Sequence, residues 1–465
     1  MASILAGARP VLRDSALVAP SYIVPGIVSF VLVGLLFTLL GAAGYGVWAL
    51  MFAVASGVPL LTTSAAESLI LRYRHRGPRA IDPRAIPVSL LATTLVAALA
   101  GALLLPVRDA STIAATSVLS LSIATYFIRV AQLRADLRFG SASILASTRA
   151  IAGGALAVMG AWIAGPAGAA AGMAVGFLAS IALSTWPTRG RDPSAPPAQM
   201  PASDQRAFGL ASMVIAVALF ILSVGDRFIL SVFRPLEEVG VYAAVYAIVD
   251  LIIRLAPSVV TVAIRTPLFR AWDMARSQVL TAWVGSLFAV VLWGSSVVSV
   301  VLTLTAALWL QDPTSQALVA PIAFGLTAAA VAMGLSFLFA ASEMQVRLAA
   351  LVVVSAALSI GLNVVLVPSS GPQGSALTTL LSFGTLLALC VAGLGRSVIP
   401  TRSELAIWIL CTAAAASTVT MTAPIWLAAG FLVLCLVPLR VTVWRALRLP
   451  TELAAPGGIG PAAMP

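Results

Sequence analysis

The chain has 465 residues, 60% of them hydrophobic and only 9% charged, whereas a soluble domain carries roughly a quarter charged residues. That balance excludes a water-soluble globular enzyme. It also makes the formal net charge of +11 a matter of membrane topology, with no reason to invoke a nucleic acid partner. Apolar runs of about 20 residues, enough to cross a bilayer core about 30 Å thick, recur between short polar joints. A transmembrane β-barrel, whose strands alternate over about ten residues, is excluded.

Taken in chain order, the runs predict an all-α polytopic membrane protein with about fourteen spans: 15–40, 45–69, 86–106, 111–133, 143–163, 166–186, 208–232, 239–262, 279–309, 317–341, 347–367, 374–395, 403–422 and 424–444. Met1 to Asp14 lacks an apolar region with a small-residue cleavage site, so the first span is expected to be retained. All 27 basic residues are Arg. They crowd the alternate joints, as in RYRHRGPR at 72–79, while the opposite joints hold only Arg108 and Arg234. By the positive-inside rule both termini are cytoplasmic, and the basic joints face anionic membrane lipids. Abundant Ala and Arg without Lys point to a GC-rich bacterial genome, hence to a bacterial cytoplasmic membrane. Cys390, Cys411 and Cys435 fall inside spans as small apolar residues, and His75 sits in a basic joint; neither a metal site nor a cofactor is expected.

Two hairpins share an outline. GPAGAA at Gly165 to Ala170 answers GPQGSA at Gly371 to Ala376, an offset of 206, and GVWALMFA at Gly46 answers GVYAAVYA at Gly240, an offset of 194. Arg138 and Arg347 give a third, weaker match at offset 209. Matches in the same order describe a duplication of about six spans, and an even number gives two lobes of equal orientation about a pseudo-twofold axis along the membrane normal. The expected organisation is an N-lobe over 1–186, a Pro-rich cytoplasmic linker over 187–207, a C-lobe over 208–397, two additional spans over 398–447 and a cytoplasmic tail over 448–465.

LNVVLVPSSGPQGSALTTLLS at 362–382, GDRFILSVFRPLEEVGVYAAVYAIVDLI at 225–252 and GYGVWALMFAV at 44–54 resemble polysaccharide flippases of the multidrug/oligosaccharidyl-lipid/polysaccharide exporter superfamily. The resemblance implies an alternating-access transporter that flips a prenyl-diphosphate-linked oligosaccharide outward for cell-surface polysaccharide assembly, with glycan polymerases or glycosyltransferases as partners. A lipid II flippase or a cation-coupled small-molecule antiporter of the same superfamily is the alternative. Many drug antiporters there place an acidic residue in the first span; Ser15 to Leu40 has none.

Charges inside spans cost about 2.5–3.5 kcal/mol each on insertion scales and ask for a reason. Asp250 and Arg254, one helical turn apart in span 8, form either a self-neutralising pair or a cavity cation held by a carboxylate. Arg149 in span 5 either snorkels to the interface or presents a guanidinium to phosphate oxygens. Asp226 and Arg227, adjacent in span 7, cannot share a helix face and are expected to find separate partners, as structural or gating charges. Glu67 and Arg129, near cytoplasmic ends, are inner-gate or anchoring charges. Asn363 is expected to pack or to bond across helices. Other classes stay open: a membrane-embedded glycan polymerase or ligase, or an assembly scaffold. The short external joints disfavour the enzyme, and without Lys the chain has neither a P-loop nor a Schiff-base lysine.

Overall fold

The computed structural model describes residues 20–73, 85–107, 109–136, 138–184, 202–274, 278–309, 312–341 and 344–394. Among these residues the structure is helical, without strands, and consists of α1 (Pro20–Tyr73), α2 (Ala85–Leu104), α3 (Ala110–Ala135), α4 (Phe139–Ser184), α5 (Ala202–Phe233), α6 (Leu236–Met274), α7 (Gln278–Trp309), α8 (Pro313–Ala341) and α9 (Gln345–Leu394). Seven are long and apolar enough to cross a membrane. The protein is an all-α polytopic membrane protein. Spans 13 and 14, the tail, most of the linker, His75, Arg108, Cys411 and Cys435 lie outside the described residues.

Three helices are double. The backbone leaves the helical region at Gly41 (φ 69°, ψ 174°), at Ala164 and Gly165 (Gly165 φ 61°, ψ −145°) and at Gly371 (φ 54°, ψ −134°). These breaks fall at three of the predicted joints. Positive φ is tolerated readily only by glycine, and at two of the breaks a proline follows, Pro166 and Pro372. Its fixed φ suits the first position of the returning helix, where a missing N–H leaves no bond unmade.

The arms of α4 return in close contact. A Cβ on Gly160 would overlap the Gly168 carbonyl and one on Gly168 the Gly160 carbonyl, while Gly172 abuts Leu156 and Gly176 abuts Gly153 in the same way. Glycines spaced four apart let helix backbones meet without a side chain between them. In α9 the equivalent contact places a Cβ on Gly374 2.7 Å from the Leu366 carbonyl oxygen. The pairs 160/168 and 366/374 are related by the sequence offset of 206. Asn363 adds a polar tie here: its amide donates to the Ser359 carbonyl (2.9 Å), and its oxygen accepts from the Ser375 hydroxyl (3.2 Å) across the hairpin.

Polarity is distributed as a membrane requires. Val88, Leu91, Leu95, Leu99 and Leu103 form a helical stripe on α2 that is 61–64% exposed, while Ser89, Thr93 and Ala97 are buried. In water that stripe would seek a core; here it faces lipid, and the buried hydroxyls are satisfied, as Thr93 donates to the Ser89 carbonyl of its own helix (2.7 Å). Two helix starts, those of α3 and α8, are capped by aspartates. Asp109 accepts from the Thr112 amide and Asp312 from the Ser315 amide and hydroxyl. The Thr112 amide foremost, and then the Thr112 and Ser111 hydroxyls, hold the Asp109 carboxyl below the usual range; at Asp312 the Ser315 hydroxyl leads the same effect.

The chain packs as two units. The first contains the described residues of Leu17–Leu251 together with Val352–Thr378, and its packing centres on α1, α3, α4 and α5. The second contains Ile252–Leu351 with the described residues from Thr379 onward. Within it α7 packs on α8, with Ser299 and Thr327 sharing a hydrogen bond at 3.0 Å and Val300, Phe324 and Leu380 forming a buried cluster. Gly325 lets α8 approach the Leu380 backbone, where a Cβ would sit 3.0 Å from Leu380 Cα.

Candidate functional site

Among the described residues, the first unit holds most of the intramembrane charge, and its arrangement begins with the crossing of α1 and α6. A Cβ on Gly46 would overlap the Leu236 carbonyl, and one on Gly240 would overlap the Ala42 carbonyl. Gly240 minus Gly46 and Leu236 minus Ala42 are both 194 positions, so each contact is the other with the repeats exchanged. A self-complementary contact of this kind is what a twofold axis produces. The aromatic pairs behind it agree: Trp48 and Phe52 (5.7 Å between centroids) and Tyr242 and Tyr246 (6.0 Å) are again 194 apart. The crossing lies just after the Gly41 break and the start of α6, at the arginine-poor end of the helices.

Arg149 sits ten residues into α4, about 15 Å along the helix from its arginine-flanked start. Its guanidinium carbon lies 5.0 Å from the Tyr126 ring centroid and 4.9 Å from that of Phe177, and those rings meet edge to face at 5.3 Å. The side chain is half-buried, with Nε enclosed and lacking a hydrogen-bond partner. Its guanidinium therefore rests inside the bundle between α3 and the second arm of α4. The glycine ladder at 153/176 helps to bring Phe177 there, since it closes the arms one turn away.

Asp226 and Arg227 diverge, as neighbours about 100° apart on a helix must. Asp226 is 2% exposed; its carboxylate accepts from the Tyr242 hydroxyl and, at 2.8 Å, from the Arg227 backbone amide. Arg227 turns to Tyr246, its guanidinium carbon 4.8 Å from the ring centroid. Tyr242 and Tyr246 share one face of α6 at a spacing of four, so α6 receives both charges side by side. Neither tyrosine was singled out by sequence; the aromatic i,i+4 pair opposite an Asp-Arg dipeptide was the available signal.

The remaining expected residues are dispersed. Glu67 accepts from the Thr63 hydroxyl (2.8 Å) on its own helix, and Arg129 reaches Gln132 (3.5 Å) on α3. Asp250 and Arg254 lie one turn apart on α6, both half-buried and both with interaction partners; Arg254 belongs to the second unit. Arg234, which the sequence placed only as a topology marker, ties the α5–α6 joint to the α9 hairpin. It donates to the Pro368 and Ser369 carbonyls (3.3 and 3.4 Å), which Gly371 leaves at a helix end, and its Nε stands 3.9 Å from Glu238.

The crystal structure of a mutant of the Vibrio cholerae MATE transporter VcmN covers 85% of this chain and 98% of its own, with a TM-score of 0.54 and 13% identity. In fold, the chain is similar to a MATE transporter. Lipid II flippase MurJ in an inward closed conformation covers 98% of this chain and 99% of its own at TM-score 0.48 and 12% identity. The eukaryotic MATE transporter AtDTX14 covers 89% and 100% at 0.46 and 13%. No family model matches the chain, and no curated protein matches it in sequence. Within the MATE-like fold, the first arm of α1 has no Asp or Glu over residues 20–40; Glu67 lies on its second arm, and the other charges described above lie on other helices.

Proposed function

We propose that the protein is an alternating-access transporter of the MOP superfamily that flips a prenyl-diphosphate-linked oligosaccharide from the inner to the outer leaflet of a bacterial cytoplasmic membrane. The observation that carries this reading is Arg149: a guanidinium well inside the bundle, supported by two aromatic rings and engaged by no carboxylate among the described residues. A permanent planar cation in such a place suits a phosphate oxygen, which takes paired charge-assisted hydrogen bonds. A cationic drug would be repelled by it, and the acid-free first arm fits that exclusion.

Duplicated hairpins and the exchanged Gly46 and Gly240 contacts support two lobes, over 1–186 and 208–397, related by a twofold axis. Alternating access then has the α1–α6 crossing closed on the arginine-poor side, opposite the cytoplasmic joints. Lipid II is the second reading, since it presents the same prenyl diphosphate. The glycan would be built on the cytoplasmic side by a glycosyltransferase and used outside by a polymerase. No catalytic step is assigned to this chain.

Vesicles containing the purified protein and a fluorescent short-glycan prenyl diphosphate test the reading. Movement of the label between leaflets, read by an impermeant quencher, is expected to exceed that of protein-free vesicles by at least tenfold. Equal rates would count against flipping.

A further inference from the structure

Arg149 has a counterpart that the sequence did not pair with it. Arg227 is also half-buried, also lies over an aromatic ring, and also has an enclosed Nε without a hydrogen-bond partner. Neither arginine forms an ion pair with a carboxylate among the described residues. The neighbouring Asp226 accepts hydrogen bonds from the Tyr242 hydroxyl and from the Arg227 backbone amide. The guanidinium is carried by α5 and lies against Tyr246 of α6. Its position differs from that of Arg149: six residues before the end of α5 at Phe233, about 9 Å from the arginine-poor terminus.

A guanidinium kept inside a membrane bundle against an aromatic face, without an ion pair among the described residues, is poised for an anion. We infer that Arg227 is a second anion subsite, nearer the arginine-poor end, which takes the diphosphate group after Arg149 and before release. The inference rests on the diphosphate-carrier reading and adds a second station to it.

The test uses full-length protein in phosphatidylcholine nanodiscs, titrated with inorganic pyrophosphate, which is small enough to occupy both stations. Wild type is expected to bind two equivalents, Arg149→Gln and Arg227→Gln one each, and the double variant none. Arg227→Lys is expected to restore the second equivalent with about tenfold weaker affinity, which distinguishes lost charge from lost folding. Two equivalents in Arg227→Gln, or a single wild-type equivalent that only Arg149→Gln removes, would overturn the second subsite and leave the first. Loss of one equivalent on changing to phosphatidylglycerol discs would assign the site to lipid headgroups and also overturn it. If wild type binds neither pyrophosphate nor farnesyl diphosphate, the carrier reading itself fails.

Discussion

Arg149→Gln is expected to lower transport by about ten- to a hundredfold while the protein still inserts and folds. Hydrogen bonds to a charged group contribute about 1.5–3 kcal/mol, and each 1.4 kcal/mol is a factor of ten. The change removes a cation resting on Tyr126 and Phe177, an interaction of about 2 kcal/mol when desolvated. It also removes an insertion cost of about 2.5–3.5 kcal/mol. These two effects nearly cancel, so lost transport reports on substrate handling rather than on unfolding. Arg149→Lys keeps the charge but not the planar fork, and it should fall between wild type and Gln. The measurement is the initial leaflet-exchange rate in vesicles beside the amount of folded protein recovered. A full wild-type rate in Arg149→Gln would remove the guanidinium from the mechanism.

The second large effect is expected at the α1–α6 crossing. Gly240→Ala sets a methyl group against the Ala42 carbonyl, and Gly46→Ala sets one against the Leu236 carbonyl. The atoms in the way are backbone, which cannot rotate aside. Overpacking of this kind costs about 1–3 kcal/mol, and charged to one state of a two-state equilibrium it shifts the populations by about 5- to 150-fold. The arginine-poor side should therefore open in either variant. In a background with Cys390, Cys411 and Cys435 replaced by Ala, a single cysteine at Ser56, deeper on α1, should react faster with an impermeant thiol reagent applied from that side. Gly361→Ala is the control, since no atom lies within 4 Å of the added methyl. Unchanged reactivity in both crossing variants, with transport intact, would show that the contact does not gate.

Much of the fold was legible because span length and joint chemistry are local. The glycines at 165 and 371 marked their own reversals through a conformation few other residues adopt, and Pro166 and Pro372 marked the restarts. The offsets of 206 and 194 were legible as repeats, and the contacts 160/168 with 366/374 and 46/236 with 42/240 follow the same spacing. What the offsets alone did not reveal is that Gly46 and Gly240 touch each other's helix, since a repeat fixes equivalence and not adjacency.

The candidate site was legible as a set of charges but not as a set of pairs. Insertion cost picks out Arg149, Asp226 and Arg227 without saying what receives them. Their partners Tyr126, Phe177, Tyr242 and Tyr246 are aromatic residues that read along the chain as ordinary apolar span. Asp226 and Arg227 read along the chain only as structural or gating charges with separate partners, and the sequence did not name those partners: Asp226 turns to Tyr242 and the Arg227 guanidinium to Tyr246. Arg234 was read only for topology because its role needs the Pro368 and Ser369 carbonyls, more than 130 residues away.

We propose that this chain carries a diphosphate-linked glycan across the membrane. It is tested most directly by depleting the protein in its native cell and measuring which lipid-linked glycans build up, and on which leaflet. One prenyl-diphosphate oligosaccharide is expected to accumulate on the inner leaflet, with its polymer lost from the surface, and restoration is expected from wild type but not from Arg149→Gln. Unaltered lipid-linked glycans and unaltered surface polymer after complete depletion would contradict it.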